Sequence, residues 1–148
     1  MARPTRLITL ADTGALYALI DASDNWHAAV LAWWQIDQTA RRDIRVPATV
    51  LPELSTLLAT RIGPDAEIAF IEAVSRGHFV VEPLDEDDVE RTAQIMAQYR
   101  DLPLGFVDAS IIAIAERLDV VDLLTTDRRH FHVVRPQHVR SFTLMPTR

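Results

Sequence analysis

Apolar residues along the chain fall into two spacings: short runs of three to five, and longer stretches in which they recur every three or four positions. That alternation predicts strands joined by crossover helices, hence an α/β fold built on a central parallel sheet. The first strand is expected at Leu7 to Ala11, leading through Asp12 into a short helix around Ala15 to Ile20. The turn and cap residues of DASDNW precede a helix from about Trp26 to Thr39, and Ile44 to Val46 reads as the second strand. Thr49 opens the next helix, where Pro52 is tolerated in the first turn. Gly63 and Pro64 end that helix and start another, which stops at Gly77. Phe79 to Glu82 is the third strand, and Val121 to Thr125 the fourth. Beyond Asp127 the pattern predicts a turn and two short extended pieces.

Two acidic features need separate readings. The run DEDDVE, Asp85 to Glu90, opens a helix to about Tyr99, where negative charge complements the helix dipole and stays solvated. It is read as structural. The stretch FVDASIIAIAERL differs: Asp108 stands at the head of a helix to Leu118 that is apolar nearly all round and therefore central. An N-cap is its plainest use, although Ile111 occupies the position where a capping box needs Glu or Gln.

Composition narrows the functional classes. The 148 residues, 49% of them hydrophobic, suit one domain over 1–148 with one core. No apolar run is long enough to cross a bilayer, and Asp12 interrupts the N-terminal run LITLADTGALYALI, so no membrane and no export are expected and the cytoplasm is the default. The absence of cysteine excludes disulfides, thiol nucleophiles and cysteine zinc sites. All fifteen basic residues are arginine, which removes the lysine of P-loops, kinases and Schiff-base enzymes. Four scattered glycines make no phosphate-cradling loop. A net charge of −6 argues against coating nucleic acid by bulk attraction.

Isolated acids recur where elements meet. Asp12 ends the first strand, Glu53 lies in the first turns of the helix after the second, Asp108 heads the central helix and Asp127 follows the fourth strand. In an open parallel sheet the carboxyl ends of the strands share one edge, where ligands collect. Four carboxylates within about 5 Å of one another repel by roughly 3 kcal/mol per pair at an effective dielectric near 20. A cation must offset that repulsion, and oxygen ligands favour Mg2+ or Mn2+ over zinc or copper.

In order and spacing, LADTGALYALI, VLPELSTLLA, FVDASIIAIAERL and LLTTDRRHF resemble the motifs of PIN-domain ribonucleases, and specifically of VapC-type toxins of bacterial toxin–antitoxin pairs. The resemblance covers nearly the whole chain. It implies a Rossmann-like PIN sheet flanked by helices, an Mg2+- or Mn2+-dependent endoribonuclease, a cognate antitoxin and a homodimer. The family's acidic positions fall on Asp12, Glu53, Asp108 and Asp127, with Asp12, Asp108 and Asp127 as metal ligands. Thr13 and Thr126 are the hydroxyl residues expected to orient them. Two departures stand out: Gly14 replaces the serine many relatives carry, and His130 stands where some carry a further acid.

The arginines after Asp127 (Arg128, Arg129, Arg135, Arg140 and Arg148) form a candidate phosphate track, with Arg128 and Arg129 as the RNA contacts nearest the site. His130 and His132 alternate as on one face of a strand, but two ligands do not make a zinc site. His27 reads as a cap or surface residue. Trp33 and Trp34 cannot share a helix face, and with Trp26, Val30 and Ile36 aligning with Trp33, Trp34 is left for either a partner surface or loose burial. A haloacid-type phosphatase needs a second acid where Gly14 stands, and a receiver domain needs a lysine. The remaining alternative is a non-catalytic PIN-like scaffold that binds RNA or protein.

Overall fold

The computed structural model describes residues 7–40 and 42–147, without the side chains of 37–40. The elements follow one another as β1 (Ile8–Ala11), α1 (Thr13–Ile20), α2 (His27–Ala40), β2 (Asp43–Pro47), α3 (Val50–Arg61), α4 (Pro64–Ser75), β3 (Val80–Glu82), α5 (Glu86–Gln98), α6 (Phe106–Leu118), β4 (Asp122–Leu124), α7 (Arg128–Val133) and β5 (Thr143–Met145). The five strands are all parallel, in the order β3-β2-β1-β4-β5, and seven helices among the described residues flank them. Leu10 of β1 pairs with Arg45 on one side and Leu123 on the other. Strand order reverses between β1 and β4, so their carboxyl ends border the crevice such a reversal opens.

Parallel strands are covered on both faces, and the residues of this sheet show it. Leu10, Ala11, Val46, Leu123 and Leu124 are buried, and the buried run Ala109 to Ala115 of α6 packs into the same core. The alanines of that run let backbones approach closely, while Ile111, Ile112 and Ile114 fill the volume. Ser110, the polar member, donates to the Val107 carbonyl at 2.6 Å and meets the Thr49 hydroxyl at 2.7 Å. Gly63 adopts φ 144°, a conformation open to glycine, and thereby turns the chain from α3 into the Pro64 start of α4.

Several local expectations are corrected. Helix α6 begins at Phe106 with Gly105 at the cap position, so Asp108 sits inside the first turn and caps nothing. Beyond Asp127 the chain forms α7 and a single strand, β5, in place of two extended pieces. Six residues with one buried apolar side chain, Phe131, are too few to show a helical period. His130 and His132 therefore lie two residues apart on a helix and face different ways. Trp34 is half-buried against Phe79, ring centroids 5.5 Å apart, and Phe79 in turn meets Phe70. Of the two uses open to it, partial burial against the core is the one the fold takes. His27 ties two helices, its Nδ1 lying 2.7 Å from the Ala18 carbonyl in the last turn of α1.

The DEDDVE run is structural, with one difference. Asp85 and Asp88 complete a capping box on α5, but Asp88 is only 2% exposed and is held by Arg117 of α6 at 3.0 Å. The same guanidinium reaches Glu82 at 3.1 Å and the Pro83 carbonyl at 3.0 Å. This ion cluster fastens the end of β3 and the start of α5 to the last turn of α6.

Candidate active site

The acids converge because each leaves its element at the same edge of the sheet. Asp12 follows β1, Asp127 follows β4, Asp108 occupies the first turn of α6 and Glu53 the first turn of α3. A cleft of about 510 Å³ is lined by all four, together with Thr13, Gly14, Leu57, Gly105, Phe106 and Val107. That volume lies within the range of small-ligand sites. Exposure grades across it: Asp12 is 5% exposed, the side chains of Asp108 and Asp127 are 26% and 42% exposed, and Glu53 lies open at the margin.

Asp12 is the most constrained. One carboxyl oxygen caps α1 by accepting from the Ala15 amide at 2.8 Å, and the other accepts the Thr125 hydroxyl. Thr125 is itself fixed by the Asp127 amide, which donates to its Oγ at 3.0 Å. Thr125, fully buried, thus joins the two ends of the site. This is the task the motif resemblance assigns to Thr126, one residue later. The Thr126 hydroxyl instead approaches Gly14, where a side chain's Cβ would lie 2.5 Å from its oxygen. A serine at position 14 would therefore require the Thr126 side chain to shift.

That contact has a measurable consequence. Gly14→Ala gains up to about 1 kcal/mol of helix propensity but crowds Thr126, which costs about 1–3 kcal/mol. A net fall in melting temperature is expected, with Thr126→Ala in the same chain restoring it. A Gly14→Ala chain as stable as the parent would show that the space is open.

Burial and mutual repulsion weaken the acids. Burial pushes Asp12 up from 3.8 to about 7, against the opposing hydrogen bonds from Thr125 and Ala15 and with help from Asp108 and Asp127. Burial likewise raises Asp108 to about 6, and the charges of Asp127 and Glu53 add to the rise while His130 opposes it. Burial and like charge thus disfavour the ionised forms of both carboxyls, a cost that a bound cation would offset. The donor set fits a divalent cation. Asp108, Asp127 and His130 each present an atom within 4.8 Å of the others, and the Thr13 hydroxyl, buried in the cleft wall, has no hydrogen-bond partner among the described residues.

Of the basic residues, Arg129 is exposed, whereas Arg128 lies over the Trp26 ring at 5.2 Å, with Nε and one terminal nitrogen buried and unpartnered among the described residues. The Arg135 guanidinium donates to the His132 and Val134 carbonyls, and Arg148 lies outside the described residues.

The chain with this all-parallel five-stranded sheet belongs to the PIN-domain family, the PIN domain matching residues 9–136. Within it, the chain is 36% identical over 137 residues to Ribonuclease VapC26 of Mycobacterium tuberculosis, covering 93% of this chain and 99% of that protein. Its fold is that of the Mycobacterium tuberculosis toxin VapC20, described as sarcin-ricin loop cleaving, with a TM-score of 0.75, 23% identity, and 89% and 98% of the two chains covered. A toxin–antitoxin complex from Klebsiella pneumoniae is similar at a TM-score of 0.62 and 21% identity over 88% of this chain and 99% of that one. Ribonucleases of the PIN family are metal-dependent. Among the described residues, no helix is long and apolar enough to cross a membrane.

Proposed function

We infer that this chain is an Mg2+- or Mn2+-dependent endoribonuclease acting as the toxin of a toxin–antitoxin pair. The observation that carries the reading is the convergence of Asp12, Glu53, Asp108 and Asp127 on one cleft at the sheet's switch point, two of them held well above the ordinary carboxyl range. Asp12, Asp108 and Asp127 would hold the cation, and hard oxygen donors favour Mg2+ or Mn2+. When bound, such a cation acidifies a water and offsets charge developing on the phosphodiester.

The chain's own residues do the rest. Thr125 locks the Asp12 carboxyl in place, while Thr13 offers a free hydroxyl in the cleft wall. Glu53, the exposed acid of the cleft lining, is the member assigned as the base for the attacking water. Exposed Arg129 and Trp26-stacked Arg128 follow Asp127 directly and suit phosphates flanking the cut. The relative named as a ribonuclease supports RNA as substrate, and the neighbour solved as a toxin–antitoxin complex supports a cognate antitoxin. Homodimerisation and action in the cytoplasm complete the proposal.

Purified, antitoxin-free protein is expected to cut total RNA at discrete sites in Mg2+ or Mn2+ and to stop when the cation is chelated. Sequencing the new 5′ ends identifies the substrate. Cleavage that persists in chelator overturns the metal mechanism, and RNA binding without cleavage favours the scaffold alternative.

A further inference from the structure

The carboxylate reading leaves one side chain of the cleft region without a task. His130, on α7, points its Nδ1 at the acids, 3.0 Å from Oδ2 of Asp127 and 3.8 Å from Oδ2 of Asp108. The nitrogen is buried, and its line to Asp127 lacks the alignment of a hydrogen bond. An imidazole whose buried nitrogen faces two carboxylates has two uses. As an imidazolium it is a counter-ion that stands in for a cation. As a neutral ring protonated on the other nitrogen it presents a lone pair.

The separations suit the second use. Donor atoms that share a six-coordinate ion with bonds of about 2.1 Å lie about 3.0 Å apart when adjacent and about 4.2 Å when opposite. The nitrogen's 3.0 Å and 3.8 Å from the two carboxylate oxygens fall within those limits, and the three side chains supply one donor atom each within 4.8 Å. At 3.0 Å from Asp127 the buried nitrogen makes no aligned hydrogen bond with it, which leaves its lone pair available to a shared ion. Resting on the metal-dependent reading above, we propose that His130 is a direct nitrogen ligand of the cation, which makes the site a mixed nitrogen–oxygen centre. A borderline imidazole donor discriminates among divalent ions where carboxylates alone do little, so it biases this chain toward Mn2+ and later transition metals over Mg2+.

The test uses tag-free full-length protein loaded with Mn2+. Pulsed electron paramagnetic resonance is expected to show modulation from a directly bound imidazole nitrogen, shifting to the 15N frequency when histidine alone is 15N-labelled. The signal is expected to vanish in His130→Ala and His130→Asp. Calorimetric Mn2+ affinity is expected to fall at least about tenfold in His130→Ala, the lower end of what even an outer partner's loss costs. His130→Asp is expected to keep binding while narrowing the preference for Mn2+ over Mg2+. Mn2+ bound without nitrogen modulation, or bound more tightly by His130→Ala, overturns the ligand assignment and leaves a counter-ion, with the carboxylate site standing. Modulation that survives in His130→Ala also overturns it. Failure of the parent chain to bind Mn2+ at all overturns the metal-dependent reading itself.

Discussion

Asp108→Asn is expected to lower RNA cleavage by at least about tenfold, a loss of roughly 1.4 kcal/mol of transition-state stabilisation, while leaving the cation-free protein as stable as the parent or more so. The two effects share one cause. Asp108 caps nothing, since Gly105 holds that position, so asparagine removes charge without removing a structural hydrogen bond. The parent carboxyl titrates near 6 in the folded chain against 3.8 otherwise. A raised carboxyl contributes its stability below about pH 4 and loses it as pH climbs through about 6. Two units correspond to about 3 kcal/mol, less about 0.3–1 kcal/mol for the favourable charge that Asn forfeits in a helix's first turn. In chelator, parent and variant are thus expected to melt together near pH 4 and to diverge in the variant's favour by pH 7. Full cleavage activity in Asp108→Asn at saturating cation would remove the central member of the site.

The largest effect on stability is expected far from the cleft. Arg117→Ala strips the partner from Asp88, which is 2% exposed, and one partner from Glu82, which is 7% exposed. The Asp88 charge then keeps only the Asp85 amide, and because the Arg117 guanidinium is itself partly exposed, the cost is expected at the lower end of that for a buried pair, about 3 kcal/mol. Against a total of about 5–15 kcal/mol that is a large fraction, and a fall in melting temperature of about 6–12 °C is expected for a chain of this size. Arg117 sits nine residues along α6 from Asp108, about 13 Å at the helical rise, so cleavage by the folded variant is expected to match the parent. A melting temperature within a few degrees of the parent would mean that Arg45, which also pairs Glu82 at 2.9 Å, and solvent replace it.

The long elements of this fold were legible because their signals are local. A parallel strand buried on both faces reads as an unbroken apolar run, and α6 reads as apolar all round; both patterns survive in one dimension. So did the four acids, each of which interrupts or ends such a run. What escaped was set by three-dimensional register. Asp108 looks like a cap because the helix start depends on Gly105 and the backbone before it, not on the aspartate. Thr125 and Thr126 are chemically alike; only the end of β4 beside β1 decides that the first meets Asp12 and the second meets Gly14. His130 faces the acids only because α7 is a helix, and a six-residue helix with one buried apolar residue carries no period to detect. Trp34 seemed surplus on its own helix and finds Phe79 just before β3, a contact no helical spacing encodes.

A cleft between β1 and β4 that cuts RNA through a divalent cation must hold that ion among its acids. Anomalous diffraction from crystals of cleavage-competent protein soaked in Mn2+ locates it. The expected result is a manganese peak enclosed by Asp12, Asp108 and Asp127 in the parent, weakened or lost in Asp108→Asn together with cleavage. Manganese bound only elsewhere in protein that cuts RNA, or a peak unchanged in Asp108→Asn with full activity, would contradict it.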